Sequence, residues 1–250
     1  MPSIYIANSV NPFRIEGQKT VAFELLEQCG WRVPDHLVVP GGNMGNSAAL
    51  GKGFDEMRRL GLIDRLPRIS IVQAEGSAPL AHLFAGLKSS EIAADAAFPD
   101  EIAPVANPRT LATAIKIGAP VSWKKALRAV LRTHGSIITV SEPEIADAKA
   151  IIGRDGIGCE PASATTVAGI RKLVSAGKIR ADESVVAVLT GHVLKDPDYA
   201  SHYHRGTLSF ESLTAAGAAK SVPIVGAFRN APEKVAASKA AILKSLESRR

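Results

Sequence analysis

His36-Leu37-Val38-Val39-Pro40-Gly41-Gly42-Asn43-Met44-Gly45-Asn46-Ser47 is the stretch whose reading decides the fold. The apolar run Leu37–Val39 predicts a buried strand. Ser47–Leu60, with Phe54, Met57 and Leu60 at helical spacing, predicts a helix. A loop rich in glycine and asparagine joins them. Strand, glycine loop and helix together suit an anion, because glycine lets backbone N–H groups turn toward it and a helix start adds a favourable dipole. The loop lacks the Gly-Lys-Ser/Thr of a Walker loop and is not G-x-G-x-x-G. An ordinary βα turn, where glycine is also common, is the alternative reading of this loop alone.

Outward from this unit, strand-like runs alternate with helical periods. Further strands are expected at Ile4–Ala7, Ile69–Gln73, Ile137–Val140 and Val185–Leu189. Helices are expected at Thr20–Cys29, Ala78–Leu87, Trp123–Thr133, Pro143–Ile152, Ala164–Ala176 and Pro232–Leu246. Such alternation predicts an α/β fold, a mostly parallel sheet with helices on both faces. Ser141-Glu142-Pro143-Glu144 has the form of a capping box, and Gly177 that of a helix-ending glycine. Residues 88–109, with three prolines, read as a long loop of the functional or mobile kind.

Composition narrows the function. With 250 residues the chain can bury a sizeable core, and 46% hydrophobic with 22% charged residues is ordinary for a globular protein. An aromatic content of 5% argues against stacking platforms for nucleic acid. The net charge of +6 is spread over helix positions and a C-terminal segment with Lys234, Lys239, Lys244, Arg249 and Arg250. That reads as a solvated face, with a mild field suited to an anionic substrate. Cys29 and Cys159 form neither a disulfide framework nor a zinc pattern. No run is long enough for a membrane span and no signal peptide is visible, so a cytoplasmic location without membrane or nucleic-acid partners is expected.

Three more segments could carry chemistry. Asn8 to Thr20 follows a strand and holds Asn8, Ser9 and Arg14. The Arg14 guanidinium can grip a phosphate through two parallel hydrogen bonds, although a polar turn with a surface arginine is the plainer reading. Gly158 to Thr166 enters a helix with small residues suited to close packing. Thr190 ends a strand, where open α/β sheets place their ligands. His202-Tyr203-His204 lacks a third metal ligand nearby and is read as a surface loop.

Taken together, Asn8 to Phe23, Pro40 to Asn46, Arg109 to Gly118, Cys159 to Ala164 and Leu189 to Asp196 resemble, in order, the threonine synthases. These are pyridoxal-phosphate enzymes of the tryptophan synthase β-like fold, fold type II. The resemblance implies a carbon–oxygen lyase of threonine biosynthesis that converts O-phospho-L-homoserine and water to L-threonine and phosphate. It implies that Gly41, Gly42, Asn43, Met44, Gly45 and Asn46 hold the cofactor phosphate and that Thr190 meets the pyridine nitrogen. Asn8, Ser9, Arg14 and Asn43 are the implied substrate-phosphate residues. The implied reaction joins the substrate amine to the cofactor, removes the α proton, expels phosphate from Cγ and adds water at Cβ.

One departure stands out. The family's cofactor lysine lies in an S-F-K-D-like motif and a cofactor-contacting asparagine in an S-T-G-N-like motif, and neither is present here. The chain is therefore expected to be a C-terminal portion, an incomplete fold, inactive alone and partnered by an N-terminal half or a second copy of itself. Residues 1–250 are expected to form one α/β unit, mainly the large cofactor-binding domain, with 1–10 ending a small domain. The alternatives are a non-catalytic remnant that binds a phosphate ligand, or another enzyme of the fold such as a threonine dehydratase or cysteate synthase. Asn8, Ser9 and Arg14 favour a phosphorylated substrate.

Overall fold

The computed structural model describes residues 8, 11–87, 98–213 and 219–248. Strands β1 (His36–Pro40), β2 (Arg68–Ala74), β3 (Ile137–Val140) and β4 (Val185–Ala187) form a four-stranded sheet in the order β3-β2-β1-β4. Every pairing is parallel, with Leu37 opposite both Ile69 and Val186, and Ile71 opposite Ile137. The helices before β3 are α1 (Pro12–Gln18), α2 (Thr20–Gln28), α3 (Gly45–Arg59), α4 (Pro79–Gly86) and α5 (Trp123–Arg132). After it come α6 (Glu142–Arg154), α7 (Pro161–Ser175) and α8 (Pro197–Arg205). Strands β5 (Ser209–Leu213) and β6 (Ala219–Pro223) pair antiparallel, and α9 (Lys239–Glu247) follows them.

Alternation of side chains along β1 explains why it is apolar throughout. Leu37 and Val39 pack with Leu26 of α2 and with Phe54 and Met57 of α3. Val38 points the other way, with Val72 of β2, against Ile145 of α6 and Ala164 and Ala168 of α7. A parallel strand covered on both faces needs apolar residues at consecutive positions. On the first face, Ile71 of β2 meets Leu80 of α4 and Trp123 and Leu127 of α5. Helices thus cover both faces of the sheet, as expected.

The chemically marked boundaries also hold. Ser141 Oγ accepts from the Glu144 N–H, and Glu144 Oε2 accepts from the Ser141 N–H at 2.7 Å, closing the capping box that starts α6. Gly177, at φ 66°, follows α7.

Other expectations need correction. The Pro12–Gln18 stretch, read as a polar turn, is helix α1, opened by Asn11 Oδ1 accepting from the Phe13 N–H at 2.9 Å. His202-Tyr203-His204 lies inside α8 rather than in a surface loop, with Tyr203 buried and donating to Asp147 at 2.6 Å. The helix expected over Pro232–Leu246 forms only from Lys239, because Val235 and its neighbours have no core to face and stay exposed. Strand β4 ends at Ala187, two residues early, although the Val188 N–H still donates to Val38 O. The expected strand Ile4–Ala7, Ser9 and residues 88–97 of the long loop lie outside the described residues, as does most of the expected 1–10 boundary. The described part of that loop, 98–109, contains no helix or strand.

Asp35 ties the short β4 to β1. Its Oδ2 accepts from both the N–H and the hydroxyl of Ser184, at 2.8 and 2.7 Å, and its Oδ1 accepts from Arg65 at 3.0 Å. These bonds hold the carboxyl down at about 2, from an ordinary value of 3.8, the backbone N–H of Ser184 contributing most. A carboxylate depressed by folding stabilises the fold at pH values above its unfolded pKa, and that contribution fades as pH falls through its folded pKa. Asp35→Asn should therefore lower the urea midpoint at pH 7 and flatten its fall between pH 3.8 and about 2. Equal slopes for the native chain and the variant in urea titrations across that range would contradict this.

Candidate functional site

The strand order reverses at β1: the chain runs outward from β1 through β2 to β3, then returns to place β4 on the other side. Crevices open beyond the carboxyl ends of strands at such a switch point. The connections leaving β1 and β4 border one cavity of about 410 Å³ there.

The first wall is the glycine loop. Gly41 donates its N–H to Val72 O at 2.8 Å, and a Cβ on it would lie 2.7 Å from Ile71 Cγ2 and 2.8 Å from Gln73 Cγ. Gly41 is therefore a packing glycine against β2. It is absent from the residues bordering the cavity, and its N–H is bonded to the sheet. Gly42, Asn43, Met44, Gly45 and Asn46 do border the cavity. Asn43 closes the loop onto the start of α5: its carbonyl accepts from the Ser122 N–H at 3.1 Å and its Oδ1 from the Val121 N–H at 3.4 Å. Met44, in the left-handed region at φ 66°, then turns the chain into α3.

The 15-residue helix α3 directs its first-turn N–H groups, which have no intrahelical acceptors, toward this end. Gly45 borders the cavity, and a Cβ on it would meet nothing closer than Gln18 Oε1, at an ordinary contact distance of 3.7 Å, so the helix start faces uncrowded space. That space is suited to a phosphate held by backbone groups.

Helix α1 forms the second wall and brings Arg14, Gln18 and the preceding Asn8 to the same cavity. Its buried Ile15 packs on Ala48 and Ala49 of α3. Lys19 pairs with Glu16 and with Glu56 at 2.8 and 2.7 Å, and Lys52 pairs with Glu16, so charge holds α1 and α2 on α3. Both lysines are thereby committed to structure and neither borders the cavity. Gln18 was not singled out in the sequence, because nothing about it shows before α1 is recognised as a helix.

Thr190 stands at the third wall within a network. Its hydroxyl donates to Glu160 Oε1 at 3.1 Å, and its N–H donates to Ser163 Oγ at 2.8 Å. Ser163 Oγ also accepts from the Gly191 N–H at 3.2 Å and lies 3.1 Å from Thr190 Oγ1. Lys195 Nζ donates to Glu160 Oε2 at 2.9 Å. Glu160 is 3% exposed, and Ser163 is fully buried. A Cβ on Gly191 would come within 2.2 Å of the Glu160 carboxyl carbon, so a side chain there would displace the carboxylate from its present position. Behind this wall Lys149 donates to the carbonyl of Cys159 at 2.6 Å, and burial pushes both the Lys149 ammonium down and the Cys159 thiol up.

Of the residues expected at a site, the cavity gathers Asn8, Arg14, Gly42, Asn43, Met44, Gly45, Asn46 and Thr190. Glu160, Ser163, Gln18 and Lys195 were missed. Glu160 and Ser163 stand in the Cys159–Ala164 stretch and Lys195 in Leu189–Asp196, so their positions were in view but their contacts, across 27 to 35 residues, were not.

Residues 2–191 match the family described as pyridoxal-phosphate dependent enzyme. A threonine synthase of Methanocaldococcus jannaschii is 46% identical over 198 residues, covering 79% of this chain and 46% of that protein. One of Methanosarcina acetivorans is 48% identical over 195 residues, covering 78% and 45%. One of Mycobacterium bovis is 42% identical over 200 residues, covering 80% and 50%. The chain thus spans about half the length of these relatives. Among solved structures, a fungal L-serine ammonia-lyase from Rhizomucor miehei superposes with a TM-score of 0.59 at 20% identity, covering 80% of this chain and 60% of that one. A threonine deaminase from Solanum lycopersicum gives 0.57 at 18%, covering 75% and 45%. These two speak to the fold alone. On the match across residues 2–191, the chain belongs to the pyridoxal-phosphate dependent enzyme family.

Proposed function

We propose that this chain is the part of a threonine synthase that holds two phosphates, that of pyridoxal phosphate and that of O-phospho-L-homoserine. The observation that carries the reading is a single cavity of about 410 Å³ bordered both by the start of α3 and by Asn8, Arg14 and Gln18 of the α1 wall. One anion would use only one of these donor sets. The threonine synthase relatives, at 42–48% identity, support the same choice.

The residues fit the cofactor. The cavity space beside Gly45 and the first-turn N–H groups of α3 suit its phosphate, and Thr190 offers a hydroxyl to its ring nitrogen. When bound, pyridoxal phosphate supplies an electron sink for a carbanion at the substrate α-carbon.

The chain's own residues bind and orient. Gly42 to Asn46 hold the cofactor phosphate through backbone groups. Arg14 places a fixed positive charge, with Asn8 and Gln18 beside it, at the substrate phosphate. As the Cγ–O bond breaks, negative charge gathers on the leaving phosphate, and a charge already in position stabilises it without rearrangement. Asn43 borders the same cavity and, through Val121 and Ser122, fixes the loop relative to α5. Proton transfers at Cα, Cβ and Cγ belong, by the resemblance, to the cofactor lysine of the S-F-K-D-like motif, which residues 1–250 do not contain. A threonine dehydratase on the same fold would act on an unphosphorylated substrate and would have no such need of Arg14.

The 250-residue chain alone is expected to form no threonine from O-phospho-L-homoserine. It should do so when co-expressed with a segment that carries the lysine motif. Turnover by the chain alone would overturn this division of labour and direct attention to Lys195, which borders the cavity.

In the completed enzyme, Arg14→Ala removes a charge-assisted contact of roughly 1.5–3 kcal/mol. The expected result is a fall in kcat/KM of about tenfold or more with cofactor retention nearly unchanged. Gly45→Val should instead crowd the helix start and weaken cofactor retention. Equilibrium dialysis and steady-state kinetics on both variants decide the matter. Equal loss of cofactor in the two variants, or no effect of either on turnover, would refute the separate assignment of the phosphates.

A further inference from the structure

We infer that the cleft between α6 and α8 is a second small-molecule site, which binds a monocarboxylate with a short branched apolar tail through Lys149 and Tyr199. The cavity there, of about 270 Å³, shares no bordering residue with the cleft of Arg14 and Thr190. The inference rests on its own groups and does not depend on the cofactor reading.

The polar groups of this cavity match an anion. Lys149 and Tyr199 are each 7% exposed, and both border it. The Lys149 ammonium has three protons and gives one to the carbonyl of Cys159 at 2.6 Å. It forms no ion pair among the described residues, although a buried charge is costly unless a counter-charge meets it. The Tyr199 hydroxyl has no hydrogen-bond partner among the described residues. Burial pushes that hydroxyl above its ordinary value, so it stays a proton donor. One carboxylate answers both needs, as counter-charge to the ammonium and as acceptor for the hydroxyl. A water molecule would bring lone pairs but no charge.

No neighbouring side chain competes for the role. Neither aspartate nor glutamate borders the cavity. The Tyr203 hydroxyl donates to Asp147 at 2.6 Å and accepts from the Phe228 N–H at 3.1 Å, so it is already used. His204 Nδ1 accepts from the Asn230 N–H at 2.9 Å, which leaves the neutral ring's proton on Nε2 as one more donor. Carboxylates that act on Lys149 or Tyr199 through space are bonded elsewhere. Glu142 accepts from the Leu111 N–H at 3.2 Å, Asp147 from Tyr203, and Asp196 from Thr113 Oγ1 at 3.4 Å.

Shape selects the tail. Ala146, Ala150 and Ala200 are small enough to leave room, and Ile157 and Val193 complete an apolar wall. Ile157 lies between Gly156 and Gly158 in the exposed turn after α6, so the cavity meets solvent there. An α-amino acid fits poorly, because its ammonium would meet Lys149 with no bordering carboxylate to receive it.

Isothermal titration of the 250-residue chain with 3-methylbutanoate tests the inference. 3-Methylbutanamide has the same shape without the charge, and L-valine is the same acid with an added ammonium. The acid should bind about tenfold or more tighter than either. Tyr199→Phe should weaken binding of the acid about tenfold. It should leave the melting temperature of the unliganded chain unchanged or higher, since the hydroxyl has no bond to lose. Lys149→Gln, whose amide can still donate to the Cys159 carbonyl, should bind acid and amide alike.

Equal binding of acid and amide by the native chain overturns the inference, as does no binding of the acid at millimolar concentration. L-Valine binding as tightly as the acid overturns the class of ligand. A folded Tyr199→Phe chain that keeps its affinity for the acid, or that melts lower, overturns the site itself. Should Lys149→Gln not fold, the acid–amide comparison and Tyr199→Phe still decide.

Discussion

Parallel pairing of β1 between β2 and β4 is the constraint on which the cleft depends. The register that sets Leu37 beside both Ile69 and Val186 also fixes where the three strands end. Gly41, bonded to Val72 O as if it were one more residue of β1, prolongs that register into the loop. From there Asn43, Met44 and the start of α3 have little freedom. On the other side, Thr190 is placed by a strand of only three residues, held at its beginning by Asp35 and Ser184 and beyond its end by Ser163 and Glu160. A short strand secured at both ends can deliver a side chain as well as a long one.

Much of this was legible in the chain. β3 begins and ends where the alternation placed it, and β1 and β2 extend one residue beyond the expected runs at each end, because buried parallel strands need unbroken apolar stretches. What escaped notice has physical causes. Helix α1 is seven residues long and contains Gly17, and one buried residue, Ile15, gives no helical period to read. In α8 the two buried residues are tyrosines set among histidine and aspartate, which look polar in sequence although one face is core. The β5–β6 hairpin escaped because β6 is exposed along its whole length and so lacks an apolar alternation.

The site divides along the same line. Residues that depend on their own neighbours in sequence, such as the glycine loop and the strand-end threonine, could be read directly. The partners of Thr190 could not, since Glu160 and Ser163 reach it only after α7 has crossed the sheet. Burial, too, separates residues that look alike in sequence. Gly41 and Gly45 both sit in the loop, yet one is filled against β2 and the other opens to the cavity.

Met44 links the cleft to the core. Its backbone is left-handed, which costs an L-residue other than glycine or asparagine roughly 1–2 kcal/mol. Its side chain is 2% exposed and packs in the cluster of Leu80, Trp123 and Leu127. The turn that opens the anion site is thus held in shape by hydrophobic contacts facing away from it. Ligand and core act on the same backbone torsion, so they are thermodynamically linked: a ligand that requires the turn tightens the packing beneath α4 and α5, and a looser core yields a weaker binder.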